Sequence, residues 1–351
     1  MSMDWINDAL ASLHESAQAE GLDRQGQLTK PPGSLGDLEA MAVRLCAMQG
    51  VAKPCLDKTQ IVVFAGDHGI TEEGVSAFPQ VVTGEMIKNF SAGGAAITAL
   101  AGQQNADFEV VNVGIVVDLP VMDKVIDATV MPGTANFAKQ PAMSTDQLSA
   151  ALQAGKAAAE RAHAKGAKLF IGGDMGIGNT SSATALSAWV LNDDANNHVG
   201  PGTGLDAAGV SHKGKVIAAA LATHADAMTS PIEALRHVGG LEIAALVGAY
   251  IRCAQLGMTV LVDGFITTSA ALIGVQIQPN LGDWLFFSHA SAEPGHQAMV
   301  NALQAKPLLD LGMRLGEGSG AGVALSILKS ACVTHNNMAT FAEAAVSGKS
   351  A

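Results

Sequence analysis

The residue best suited to proton chemistry is Glu317. It stands in the stretch 308–322, LLDLGMRLGEGSGAG, where an apolar run over 307–311 reads as a last strand before a glycine-dense turn. Gly316 and Gly318 fence the carboxylate, so it belongs to no helix or sheet face that would solvate it. Neighbours without side chains let a planar ligand come close to the backbone. A lone acid in such a place reads as a general base in a small-molecule site. Residues 319–322 then open an apolar helix over 323–329.

Two further stretches have the chemistry of anion sites. In 172–185, GGDMGIGNTSSATA, a glycine loop leads into Asn179, Thr180, Ser181 and Ser182 at a helix start. Backbone N–H groups and hydroxyls at a helix N-terminus attract anions. The stretch 200–215, GPGTGLDAAGVSHKGK, repeats the arrangement, and Lys213 on its helix can supply a point charge to a phosphate.

Dinucleotide binding is the weaker reading. Gly202-x-Gly204-x-x-Ala207 and Gly316-x-Gly318-x-x-Ala321 both fit the loose fingerprint, but the first does not directly follow a strand. After the second, no strand remains to carry a ribose-binding acid. No Walker A sequence is present. Asp67 and His68 in AGDHG, and His289, Glu293 and His296 in SHASAEPGH, match no zinc spacing. They read as polar site or capping residues, with no metal. His212, His224 and His237 read as lying on solvated helix faces. Met86, Met175 and Met313 are core filler by type, although Met175, inside a glycine loop, can bed a flat apolar ligand.

Six apolar runs position these groups: 60–64, 108–113, 168–171, 259–262, 284–287 and 307–311. Each ends in glycine or charge. Ala-rich helical stretches lie between most of them, at 84–102, 145–166, 207–225 and 241–256. Continuous apolar strands alternating with helices predict a parallel sheet covered on both faces. The fold class is therefore a three-layer α/β/α architecture around a mainly parallel, Rossmann-like sheet of about six strands. In such sheets ligands bind at the carboxyl ends of strands, where the unusual residues sit. Ile6, Leu10, Leu13 and Ala17 share one helical face, predicting an amphipathic helix over 4–20. Pro31 and Pro32 then break the chain before a helix over 38–48, which Ser34 or Asp37 can cap. The expected division is 1–50 as N-terminal helices, 51–320 as a large α/β unit and 321–351 as C-terminal helices, the two ends packing as a small helical domain. The tail VSGKSA reads as disordered.

Bulk properties bound the function. The chain has 351 residues, 48% of them hydrophobic, enough for one large core. A net charge of -12 argues against nucleic acid or an anionic membrane as partner. No apolar run reaches the roughly 18 residues of a membrane span, and the acidic, amphipathic N-terminus is not a signal peptide. Cys46, Cys55, Cys253 and Cys332 are scattered without a CxxC, as in a cytoplasmic protein with reduced thiols.

Several motifs then coincide with one family. LTKPPGSLGDLE, FAGDHGITEEGVSAFPQVVTGEMIKNFSAGGAAI, GTANFA, GGDMGIGNTSSATAL, GPGTGLD, VDGFITTSAAL, SHASAEPGH and LGMRLGEGSGAGVAL run in order from about residue 28 to 335. Together they resemble the nicotinate-nucleotide–dimethylbenzimidazole phosphoribosyltransferases of cobalamin biosynthesis. The resemblance implies transfer of 5-phosphoribose from nicotinate mononucleotide to 5,6-dimethylbenzimidazole, giving α-ribazole 5′-phosphate and nicotinate. It implies a homodimer without metal or cofactor, and a large α/β domain with a small helical domain from both termini. It places the family's base, the glutamate of RLGEGxGA, on Glu317. Asp174, where some members have Glu, becomes the candidate second carboxylate, steadying positive charge that develops on the ribose, with one methylene less reach. Gly176, Ile177, Gly178, Asn179, Thr180, Gly202, Thr203 and Gly204, with Lys213, would hold phosphate and ribose. Ser291 joins the substrate contacts. The segment 76–88, with Pro79, Gln80 and Met86, would line the benzimidazole pocket together with Met175 and Leu315.

Overall fold

A parallel seven-stranded sheet runs through the computed structural model, which describes residues 3–347. Most of the tail expected to be disordered, 348–351, lies outside the described residues. The strands are β1 (Thr59–Gly66), β2 (Asp107–Gly114), β3 (Val125–Asp127), β4 (Leu169–Met175), β5 (Thr259–Val262), β6 (Leu285–His289) and β7 (Pro307–Leu309). Their order is β3-β2-β1-β4-β5-β6-β7, and every neighbouring pair is parallel. Six strands are the predicted runs, and β3 adds a seventh at the edge. It has three residues, too few to show a periodic pattern, and it exists because Val110, Val111 and Asn112 of β2 offer it a free edge.

Twelve α-helices are described: α1 (Glu15–Gln27), α2 (Asp37–Gln49), α3 (Val81–Ala92), α4 (Ala96–Gln104), α5 (Thr145–Ala164), α6 (Asn179–Leu191), α7 (Ala207–His224), α8 (Pro231–Val238), α9 (Leu241–Gln255), α10 (Phe265–Ile277), α11 (His296–Ala302) and α12 (Ser319–Asn337). All of β1 is buried, as an unbroken apolar run requires when helices cover both faces. The two faces are read from adjacent glycines of β4. A Cβ on Gly172 would meet Leu246 and Tyr250 of α9, whereas one on Gly173 would collide with the backbone at Glu317 and Gly318. Successive strand residues point to opposite faces, so α9 covers one face and the turn entering α12 lies on the other. Strand order reverses between β1 and β4. A crevice opens at such a switch point, beyond the carboxyl ends of the strands.

The N-terminal segment departs from expectation. In place of one helix over 4–20, a 3-10 turn at Asp4–Asn7 gives way to extended chain before α1. The side-chain spacing is helical, but tertiary hydrogen bonds prevail. Ala11 N–H donates to the Ala254 carbonyl and His14 N–H to that of Ala47. The Gln255 and Gln278 amides donate to the carbonyls of Trp5 and Ile6. Ile6 is buried by this docking. The helix at 37–49 is capped neither by Ser34 nor by Asp37. Glu39 reaches back instead and accepts from Gly33 N–H and Leu35 N–H. The single helix expected over 84–102 is two, parted at Gly93, whose φ is +81°.

His224 and His237, expected on solvated faces, are buried, whereas His212 is exposed. The two buried rings meet with their Nδ1 atoms 2.9 Å apart, and His224 Nε2 lies 2.8 Å from the Phe137 carbonyl. An Ala-rich helix has little polarity contrast to tell its inner face from its outer one.

The chain ends pack together. Leu28 bridges Thr340, and Arg24 donates to the carbonyls of His335, Asn336 and Met338 at the end of α12. The expected boundary at 320/321 falls inside α12, whose N-terminal turns pack against β6 and α4 in the body.

Candidate active site

A cleft of about 380 Å³ opens at the switch point. Of the predicted site residues, Glu317, Asp174, Met175, Gly176, Ile177 and Asn179 line it. So do Thr180, Gly202, Thr203, Ser291, Met86 and Leu315. Residues more than 200 positions apart in sequence are thus gathered by strand ends. Gly178, Gly204, Gln80 and Lys213 do not reach the lining. Gly178 is the N-cap of α6, with φ +100°. Gly204 sits in an exposed turn. The Gln80 amide is turned inward and donates to the His68 carbonyl at 3.0 Å. Lys213 is 1% exposed and lies behind Thr180, donating to its hydroxyl at 2.6 Å.

Glu317 owes its position to an unusual backbone. Gly316, Glu317 and Gly318 have φ of +86°, +66° and +86°. A left-handed glutamate is strained, and flanking glycines make the turn accessible. Ser319 tightens it by donating both its hydroxyl and its N–H to the Gly316 carbonyl. Glu317 is 6% exposed, and its Oε2 has no hydrogen-bond partner among the described residues. Burial pushes its pKa up to about 7; the Ile97 backbone N–H works against that rise and the nearby Asp263 adds to it.

Asp174 behaves differently. Burial, with Asp263, Glu242 and Glu317 nearby, lifts its pKa well above the usual carboxylate range. Its Oδ2 accepts from the Asn179 side chain at 2.9 Å, the one contact that opposes the rise. It holds Asn179 at the start of α6.

The cationic groups lie around the loop that carries Gly202. Burial lowers the Lys213 pKa to about 8, against the pull of Glu293. Arg314 donates to the Gly202 carbonyl at 3.1 Å, tying the turn before Glu317 to that loop. Glu293 is buried, with Oε2 unpartnered among the described residues. The apolar lining comes from Phe78, Val82 and Met86 around α3, with Met175, Phe265 and Leu315.

Two glycine-rich helix starts face this region, and they are not equivalent. At α12 the N-terminus is already filled by an internal carboxylate. Asp263 Oδ2 accepts from Gly318 N–H at 3.2 Å and Oδ1 from Ala321 N–H at 2.8 Å. A pyrophosphate has no place there, which removes the dinucleotide reading of Gly316-x-Gly318. The N-terminus of α6, by contrast, opens onto the cleft through Gly176, Ile177, Asn179 and Thr180.

The polar residues weighed as metal ligands have protein partners instead. Asp67 accepts from the Thr83 hydroxyl and Val116 N–H. His68 pairs with Glu242 at 2.7 Å, and His296 accepts from Ser291 N–H. Among the described residues no three His, Cys, Asp or Glu side chains are gathered for a metal. His289 and Glu293, read as polar site or capping residues, line the cleft. The sequence reading missed Arg314 and Asp263, whereas Phe78 and Val82 fall within the segment 76–88 expected at the pocket. A lone cation three residues before Glu317 was a usable signal for Arg314; nothing local marks Asp263, whose partners lie 55 and 58 residues away.

A family model described as "Phosphoribosyltransferase" matches residues 10–346. The chain is 54% identical over 351 residues, the full length of both, to the nicotinate-nucleotide–dimethylbenzimidazole phosphoribosyltransferase of Pseudomonas putida. It is 51% identical, again over all 351 residues, to that of Pseudomonas aeruginosa. The crystal structure of the Thermus thermophilus protein of that name superposes with a TM-score of 0.90 at 44% identity, covering 95% of this chain and 99% of that one.

Proposed function

This chain belongs to the nicotinate-nucleotide–dimethylbenzimidazole phosphoribosyltransferase family, and from that premise we propose how its cleft performs the transfer, with Glu317 as general base. The enzyme moves 5-phosphoribose from nicotinate mononucleotide to 5,6-dimethylbenzimidazole in cobalamin biosynthesis, giving α-ribazole 5′-phosphate and nicotinate. One benzimidazole nitrogen attacks the anomeric carbon on the face opposite the β-linked nicotinate, so the product is α. As that bond forms, the other ring N–H becomes acidic and Glu317 takes its proton. The pyridinium leaves as a neutral ring and needs no general acid.

The observation that carries this reading is the Glu317 carboxylate itself: buried, bordering the cleft, unpartnered at Oε2, with a pKa of about 7. A base titrating near the working pH combines the right protonation state with useful basicity. The open α6 N-terminus supports phosphate binding at residues 176–180, with Lys213 and the 202–204 loop behind it. Met86, Met175 and Leu315 supply the apolar bed for the benzimidazole. Asp174 orders Asn179 and, when ionised, can steady positive charge developing on the ribose. The enzyme acts as a cytoplasmic homodimer on this reading; sedimentation equilibrium tests its assembly. No helix among the described residues is long and apolar enough to cross a membrane.

Glu317→Ala tests the base directly. Turnover with both substrates should fall by about 10²–10⁴ while the protein stays folded. Wild-type turnover in this variant would refute the assignment.

A further inference from the structure

Asp263 follows β5 at its carboxyl end and is 1% exposed, yet the transfer described above gives it no task. Its two oxygens take the N–H groups of Gly318 and Ala321, the first inside the left-handed turn and the second in the opening turn of α12. We propose that Asp263 is the positioning residue of the base: it clamps the turn 316–321 from outside, fixes the Glu317 carboxylate at the cleft, and by filling the α12 N-terminus leaves α6 as the place for the phosphate. This rests on the reading of Glu317 as the base.

Three consecutive left-handed residues, one of them a glutamate, do not hold themselves in place. Ser319 fastens the turn only to itself. Asp263 fastens it to the sheet. β4 leaves room, because Gly173 presents no side chain where the Glu317 backbone passes. The groups around Asp263 leave it dependent on this clamp. Asp174 from β4 repels it, and Tyr250 from α9 offers no positive charge. His289 Nε2 from β6 stands 3.9 Å from Oδ1, beyond hydrogen-bond reach, and acts on Asp263 only through Coulomb attraction. Glu317 faces it as a like charge. The hydrogen bonds to the Asp263 carboxylate thus come from backbone N–H groups of the base turn.

The test is a double-mutant cycle on the full-length enzyme with nicotinate mononucleotide and 5,6-dimethylbenzimidazole. Asp263→Asn should lower kcat by about 10²-fold, the scale of a displaced catalytic group, with KM for the mononucleotide nearly unchanged. Its acid limb in kcat/KM should move to lower pH, because a negative neighbour of Glu317 is gone. In a Glu317→Ala background the same change should add nothing, because Asp263 acts only through Glu317. Asp263→Ser, which keeps one acceptor, is measured alongside in case the Asn variant does not fold. Wild-type kcat in a folded variant, losses that multiply in the double mutant, or failure of both variants to fold would overturn the proposal. If Glu317→Ala alone is fully active, the base reading has failed instead.

Discussion

Glu317 titrates near neutrality because of its burial, and the consequence is measurable without substrate. The folded protein holds this proton more tightly than the unfolded chain, whose ordinary value is 4.5. That preference favours folding below about pH 4.5 and is lost as the pH rises through about 7. Glu317→Gln should therefore be more stable than wild type at pH 8, by on the order of 1–2 kcal/mol, with the gain vanishing near pH 4. Chemical denaturation at the two pH values checks this; an equal difference at both would contradict it. Lys213 is the counterpart. Burial lowers its pKa to about 8, so its charge fades above that pH and KM for nicotinate mononucleotide should rise there. Lys213→Ala should raise that KM by roughly ten-fold, because the charge behind the Thr180 hydroxyl is lost, and leave KM for the base substrate unaltered. Steady-state kinetics with each substrate varied in turn separates the two. Glu317 was legible because glycines isolate it in sequence. Asp263 was not, because a clamp made with residue 318 leaves no mark at residue 263.

At the scale of elements, close approach is bought by missing side chains. Helices α5 and α9 meet where a Cβ on Gly155 would strike the Ala245 carbonyl and one on Gly248 the Leu152 carbonyl. Backbone atoms cannot step aside as a side chain can, so Gly248→Ala must part the helices. We expect a loss of about 1–3 kcal/mol, read from a thermal or denaturant midpoint. An unchanged midpoint would show that the pair has slack. The strand ends and the helices between them were legible because parallel strands buried on both faces read as unbroken apolar runs. Two things were not. The edge strand β3 is shorter than any pattern, and Ile6, Leu10 and Leu13 keep a helical spacing while the backbone around them bonds to Ala254, Gln255 and Gln278.

Taken whole, the molecule closes on itself through its termini. Arg24 satisfies three carbonyls at the end of α12, a set of acceptors that would otherwise be orphaned. Arg24→Ala should destabilise the protein by about 1–3 kcal/mol and speed proteolytic cleavage near the C-terminus, while kcat/KM holds, since Arg24 lies apart from the cleft. Cleavage at the wild-type rate would show that the ends are held by other contacts. This closure was legible only as an expectation that two helical ends might meet, because the partners stand more than 300 residues apart.

The two margins of the sheet, β3 and β7, are each three residues long, and β7 begins with a proline. A proline nitrogen has no hydrogen to offer, and so short a ribbon gives a passing chain little to pair with. Native molecules crowded together thus lack a template for stitching edge to edge, and heat-driven precipitation must wait for unfolding to expose the inner strands.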